Sequence, residues 1–320
     1  MTRVRSVYAR HGSIVLSYIA ALVLLIVVSI IRPGFGLGGL NPMLSLALEA
    51  SVIGLVALGQ TFVILSGGVD LSLPWVLTGA AVLMTVMTSG ADASLPWAVP
   101  LTLLLCLGVG FVNGIGITVL RVSPVIMTLA MNGILLGAMA GLVSGGAVTY
   151  GRTPPMIVDL VASRWLGIPS LAWIVAALAV VTTVLLSFTS FGRRLYAVGT
   201  SPEVSLYSGI HVRRVTIAVY MLSAFSAGLA GIILSGKFGR AYLGMGDPYL
   251  FMSVAAVVIG GASITGGRGH YMGTLGGALL LAVLTATIPV LALPRAFQLM
   301  LYGFVVLIAV FFASRSGEER

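Results

Sequence analysis

The stretch from Gly59 to Gly79, GQTFVILSGGVDLSLPWVLTG, decides how the rest of the chain is read. An apolar segment runs to Ser66, breaks on Gly67-Gly68, passes one acid at Asp70 and resumes at Leu71. Two glycines weaken a helix, each by roughly 1 kcal/mol relative to alanine. A carboxylate at membrane depth costs a few kcal/mol even on insertion scales, so such a group faces protein or water. Two readings fit. In one, the stretch is a tight turn between two membrane helices, and Asp70 caps the second through the N–H groups of its first turn. In the other, it is a broken membrane segment beside a translocation path, since non-helical backbone survives at that depth only where it is buried or lines a watery cavity. The two are compatible.

Composition around this stretch supports a membrane setting. Hydrophobic residues make up 59% of the chain and charged residues only 8%, with a mean hydropathy of +1.14. A soluble domain carries about a quarter charged residues. The apolar stretches are continuous, as helices of about 20 residues require, whereas a membrane barrel shows short alternating strands. The formal net charge of +9 does not indicate nucleic acid, because the basic residues are scattered between the spans with no dense basic face. One cysteine, Cys106, excludes an intrachain disulfide and a thiolate metal cluster. No metal-site spacing appears among His11, His211, His270 and the acids, so neither a metal nor a cofactor is expected.

The pattern predicts about ten spans, near 14–31, 44–66, 73–89, 96–120, 123–143, 170–188, 215–236, 250–265, 271–290 and 297–314. The first follows MTRVRSVYAR and has no small-residue cleavage site after it, so it reads as an uncleaved first helix. With the N-terminus inside, eleven basic residues fall in inner loops: Arg3, Arg5, Arg10, Arg121, Arg193, Arg194, Arg213, Arg214, Arg268, Arg315 and Arg320. Six fall outside: Arg32, Arg152, Arg164, Lys237, Arg240 and Arg295. The bias places both termini in the cytoplasm. The whole chain, 1–320, reads as a single transmembrane domain.

Two loops exceed a simple turn. The outer one, about 144–169, carries Tyr150, Arg152, Pro154, Pro155, Asp159, Arg164 and Trp165. It is either a solvated connector or a docking surface, since Arg and aromatic residues are enriched in interfaces. The inner one, 189–214, reads TSFGRRLYAVGTSPEVSLYSGIHVRR. Ser201-Pro202-Glu203 suits a helix start, with proline early and an acid near the N-terminal dipole, and Gly209 suits a stop. Flanked by paired arginines, this short helix reads as a protein contact or as an amphipathic helix on anionic lipid.

The inner loop, FGRRLYAVGTSPEVSLYSGIHVRR, resembles the coupling segment of ribose-type sugar permeases of bacterial ATP-binding cassette (ABC) importers. Four further stretches agree in the same order: GQTFVILSGGVDLS at 59–72, NGIGITVLRVSPVIMTLAMNGILLG at 113–137, AAVVIGGASITGGRG at 255–269 and GTLGGALLL at 273–281. The resemblance departs at Val204 and Ser205, where the family has alanines, near Leu136, where it has an arginine, and at YLFMSV, which lacks an acid. It implies an all-α permease subunit of the type II importer kind in the bacterial inner membrane, importing a monosaccharide of ribose, xylose or galactose type. A nucleoside or other small polar solute is the alternative. It also implies three partners: a cytoplasmic ABC ATPase subunit, an extracytoplasmic sugar-binding protein and a second permease copy, identical or paralogous.

The motifs, the central break and the two long loops together give the expected residues. Arg193, Arg194, Glu203, Gly209 and Arg213 are expected to couple to the ATPase. Gly67, Gly68, Asp70, Ser72, Asn113, Gly260 and Gly261 are expected along the translocation pathway, with Asp70 capping the third span, orienting the break or meeting sugar hydroxyls. Arg152, Arg164 and Arg240 are expected to dock the binding protein. No GxxxxGK[ST] phosphate loop occurs, so energy must come through a partner. An ion-coupled transporter would place ionisable groups at the midplane, and only Glu49 and Asp70 are available. A membrane enzyme using Ser263 and His270 would lack a third, orienting group.

Overall fold

The computed structural model describes residues 2–144 and 151–290, with Pro294, Ala296, Phe297, Met300, Gly303 and Phe304 beyond them. Side chains are described from Ile14 onward, those of Ser144, Pro289 and Val290 excepted, together with Gly12. Among these residues the chain is helical apart from short turns and one small hairpin. The helices are α1 (Thr2–Ile31), α2 (Leu40–Leu65), α3 (Leu73–Thr88), α4 (Leu95–Thr118), α5 (Pro124–Ser144) and α6 (Pro155–Ala162). After the hairpin β1 (Arg164–Trp165) and β2 (Ile168–Pro169) come α7 (Ser170–Phe188), α8 (Ser190–Thr200), α9 (Pro202–Tyr207), α10 (Val212–Phe238), α11 (Tyr249–Ile259) and α12 (Tyr271–Val290).

Seven of the described helices are long and apolar enough to cross a membrane, while α3 and α11 are apolar but shorter. The first nine expected spans therefore have helices in place. Of the tenth, 297–314, only Phe297, Met300, Gly303 and Phe304 are among the described residues, and the C-terminal arginines and Tyr150 lie outside them. The eighth needs correction. Expected over 250–265, its helix has 11 residues, roughly 16 Å at 1.5 Å per residue, against a hydrocarbon core of about 30 Å. It is a half-helix. The turn at Gly260-Gly261 ends it, and the connector 239–248 brings the chain back before it starts: the Gly246 N–H donates to Thr78 Oγ1 of α3 at 3.1 Å.

The core runs along α2 and α10. Every residue of α2 from Ser51 to Leu65 is buried, and α10 packs against α2, α3 and α4. Such closeness requires small residues at the contacts, as expected where lipid supplies no hydrophobic drive between helices. A Cβ on Gly231 of α10 would stand 2.1 Å from the Leu77 carbonyl oxygen of α3. One on Gly110 of α4 would stand 2.4 Å from the Tyr220 carbonyl oxygen. In contrast, α4, α5 and α7 expose apolar side chains such as Leu104, Ile126, Ile134 and Val180, the pattern of helices facing lipid. The bundle thus has two ends. One carries α8 and α9, and the other carries α6 and the hairpin.

Candidate functional site

The break between α2 and α3 is built from local backbone rules and then fastened by distant side chains. Gly67 takes φ +83°, a left-handed conformation that side chains disfavour, and Gly68 N–H reaches back to the Val63 carbonyl at 3.0 Å. Gly68 serves by its size instead: a Cβ there would lie 2.5 Å from the Tyr220 hydroxyl. Leu71 N–H donates to Thr128 Oγ1 of α5 at 3.0 Å. Asp70 is 1% exposed. Its Oδ1 accepts from Ser72 N–H at 2.9 Å and from Ser72 Oγ at 2.6 Å. Its Oδ2 accepts from Ser223 Oγ of α10 at 2.7 Å, and Asn113 Nδ2 of α4 donates to Ser72 Oγ at 2.9 Å.

This arrangement corrects the capping expectation. Asp70 does not bind the first-turn N–H groups of α3. It closes a turn onto Ser72, the residue that precedes the helix, and Ser72 makes no side-chain cap of its own. The carboxylate is held by neutral donors alone, since the ion pair found among the described residues is Lys237–Glu49. Hydrogen bonds to a charged group contribute about 1.5–3 kcal/mol each, which is how a buried acid is kept without a cation. Of the expected pathway residues, Asp70, Ser72 and Asn113 come together in this network, with Gly67 and Gly68 at its edge. Gly260 and Gly261 do not join it; Gly260 lies where a Cβ would meet the Gly273 backbone at 2.3 Å, at the start of α12. Ser223 and Tyr220 of α10 complete the surroundings of the break without belonging to any of the motifs. Their trace in the sequence is the polar and small run YMLSAFSAG inside an apolar span.

The inner loop forms two helices instead of the one expected. Thr189 Oγ1 accepts from Gly192 N–H at 3.3 Å at the start of α8, and Ser201 Oγ accepts from Val204 N–H at 3.3 Å at the start of α9. Gly209, at φ +79°, ends α9 as the sequence suggested. Glu203, Arg193, Arg194 and Arg213 are exposed. The new feature is α8, whose buried face seats Gly199 against the end of α2. A Cβ on Gly199 would stand 1.9 Å from the Leu65 carbonyl oxygen. That same oxygen accepts from Gly267 N–H at 3.0 Å, and Tyr196 donates its hydroxyl to the Gly269 carbonyl at 2.8 Å. The break, the inner loop and the loop after α11 are therefore one packed joint.

Beside this joint lies a cavity of about 290 Å³, walled by the break, the ends of α4 and α5, α8, α9 and the first turns of α10. A larger one, about 360 Å³, lies at the other end between 34–36, α2 and α12. Its lining is mostly apolar and its one acid, Glu49, is taken by Lys237, so the smaller cavity is the better candidate for polar chemistry.

At the hairpin end, Arg152 and Arg240 pair through their backbones in an isolated antiparallel bridge. Arg164 donates to Asn41 Oδ1 at 3.3 Å. All three arginines are exposed, with Trp165 at 54% and Leu166 at 91% exposure beside them. The enzyme reading finds no support in the geometry: Ser263 Oγ bonds Thr265 Oγ1 at 2.8 Å, and His270 Nε2 lies 3.5 Å from Ser187 Oγ.

A break after the second helix, a paired-helix inner loop and a glycine-rich return after a half-helix sit in a bundle of membrane-length helices, and comparison gives its class. Residues 42–310 match the family model described as branched-chain amino acid transport system, permease component, and the chain belongs to that family. It is 37% identical over 293 residues to a ribose import permease of Bacillus subtilis, covering 92% of this chain and 90% of that protein. It is 35% identical over 300 residues to the ribose import permease of Escherichia coli K12, covering 92% and 91%. An autoinducer 2 import permease of Photorhabdus laumondii is 32% identical over 263 residues, covering 81% and 78%. No solved structure matches the chain. The protein is therefore a multi-pass permease component of an ABC importer in the inner membrane, and such a component works with an ATPase and a binding protein.

Proposed function

We propose that this permease imports a pentose-like monosaccharide, works as a pair with a second permease copy, and takes its energy from an ATPase docked on α8 and α9. The sugar is supported by the two ribose import permeases, which match over about nine-tenths of each chain. The mechanism is supported above all by one contact, Gly199 of α8 seated on the Leu65 carbonyl at the end of α2. Movement of α8 and α9 then bears directly on the break. Exposed Glu203, with Arg193, Arg194 and Arg213, meets the ATPase, and Arg152, Arg164 and Arg240 meet the sugar-loaded binding protein at the other end. Both termini lie on the ATPase side.

Within the subunit, Asp70, Ser72 and Asn113 act as positioning groups. They are buried among α3, α4 and α10, so they shape the break that borders the path. Gly67 and Gly68 give that break its turn, and Gly260 and Gly261 give the matching turn after α11. Bound sugar shifts the outward and inward forms only by its differential affinity for them. An ion-coupled route is disfavoured because Glu49 is paired and Asp70 is saturated with donors.

Reconstitution with a cognate ATPase and binding protein tests this. ATP-dependent uptake of labelled ribose, abolished without the binding protein, is the expected result. Competition by a nucleoside or by autoinducer 2 but not by ribose would replace the sugar assignment. The autoinducer 2 import relative makes that second ligand worth including.

A further inference from the structure

The cavity beside the joint has the make-up of a binding site. Its polar walls come from separate elements: Ser66 at the break, Thr118 on α4, and Arg213, Thr216 and Tyr220 on α10, with Pro202 of α9 closing one side. Ser66 donates its hydroxyl proton to the Val63 carbonyl at 2.7 Å. Thr118 likewise donates to the Gly114 carbonyl at 2.7 Å. Each oxygen is thereby left as an acceptor. Arg213 supplies only donors. Tyr220 is 1% exposed, and its hydroxyl, which lies just beneath the wall beside Gly68, bonds to no described residue. Buried polar groups left without a partner cost about 1–3 kcal/mol. Among the described residues no carboxylate lines the cavity. At about 290 Å³ it sits at the small end of ligand pockets, which run from about 300 to 1,000 Å³.

We infer that this cavity binds a neutral polyhydroxylated solute the size of a single sugar, entering from the α8–α9 end, and that the bound solute restrains the inner loop and slows import. Acceptors at Ser66 and Thr118 beside the Arg213 donors suit a ring of hydroxyl groups, while one guanidinium without a second cation is a poor phosphate site. The restraint follows from the walls. Val198 of α8, Pro202 of α9 and Thr216 of α10 enclose one space, so a shift of α8 and α9 reshapes it. A ligand stabilises whichever arrangement it fits, by mass action. The site would report sugar accumulated on the inner side. The inference rests on the proposed function for the identity of the solute and for the inner-side, coupling role of α8 and α9.

The test uses the permease–ATPase complex carrying Cys106→Ala and Thr216→Cys. Millimolar D-ribose is expected to slow modification of the new thiol several-fold, and an acyclic polyol at the same concentration is not. In parallel, vesicles preloaded with ribose should show ATP-driven uptake several-fold slower than empty ones. Thr216→Ile, which removes one polar wall and pushes a methyl into the cavity, should import into empty vesicles like the parent and lose the slowing. Equal protection by the acyclic polyol, no protection, or equal slowing of parent and Thr216→Ile would overturn the site. Failure of uptake into empty vesicles would instead overturn the proposed function, and the thiol experiment would still decide the cavity.

Discussion

Asp70 shows how a single residue can be both costly and indispensable. Its three donors come from Ser72 and Ser223, and each would be left unpaired if the acid were removed. An unpaired buried donor costs about 1–3 kcal/mol, so Asp70→Ala is expected to lower the thermal midpoint of the detergent-purified protein clearly and to reduce its yield. Asp70→Asn keeps the shape and one acceptor, and the Ser223 hydroxyl can turn to receive the new amide. It should fold close to the parent, with most transport retained. If Asp70→Asn folds and binds the ATPase but imports nothing, the charge itself serves gating. Ser223→Ala removes one charge-assisted bond and should cost about 1.5–3 kcal/mol, read from the same unfolding curve.

At the scale of elements, the inner loop offers two glycines with opposite physics. Gly209 sits at φ +79° with nothing within 4 Å of an added Cβ. Substitution there costs only the left-handed backbone penalty, about 1–2 kcal/mol for an ordinary residue. Gly199 lies outside the left-handed region, but its added Cβ would overlap the Leu65 carbonyl oxygen. Gly199→Ala is therefore expected to separate α8 from α2 and to abolish uptake. Gly209→Ala should lose far less, and Gly209→Asn less still. Co-purification of the ATPase tells a lost joint from a lost dock: Gly199→Ala keeps the ATPase and loses import. Glu203→Arg should do the reverse, since a like-charge contact at an interface costs several kcal/mol, reducing ATPase recovery while membrane insertion stays normal. Equal ATPase recovery and uptake in the Glu203→Arg variant would return α9 to the role of a helix resting on lipid.

For the whole molecule, the two ends of the bundle make the orientation testable. Thr153 has the loop position of an outer reporter, but it is 5% exposed and its hydroxyl donates to the Ser235 carbonyl at 2.9 Å. Leu166 at 91% and Tyr207 at 90% exposure are the proper pair. In a Cys106→Ala background, Leu166→Cys should react with an impermeant thiol reagent in intact cells, and Tyr207→Cys should react only after lysis. Labelling of Tyr207→Cys from outside would invert the molecule and remove the ATPase from α8 and α9. The arginine bias that sets this orientation is a property of loops as groups.

What the sequence by itself determined is everything that depends on neighbours along the chain. Apolar length announced the spans, the Gly67-Gly68 pair announced the break, and Ser201-Pro202 with Gly209 bounded α9, because hydration, backbone strain and capping act within a few residues. The motifs in register announced the family. Tertiary structure alone decided the partners of Asp70, which lie 153 residues away at Ser223 and, through Ser72, 41 residues further on at Asn113. It also decided that α11 is a half-helix and that α8 presses on α2. Those outcomes depend on how helices are set against one another, and that register is chosen by close approach at small residues such as Gly110, Gly199 and Gly231. A glycine in an apolar run looks the same in the sequence whether a backbone or a lipid chain will lie against it.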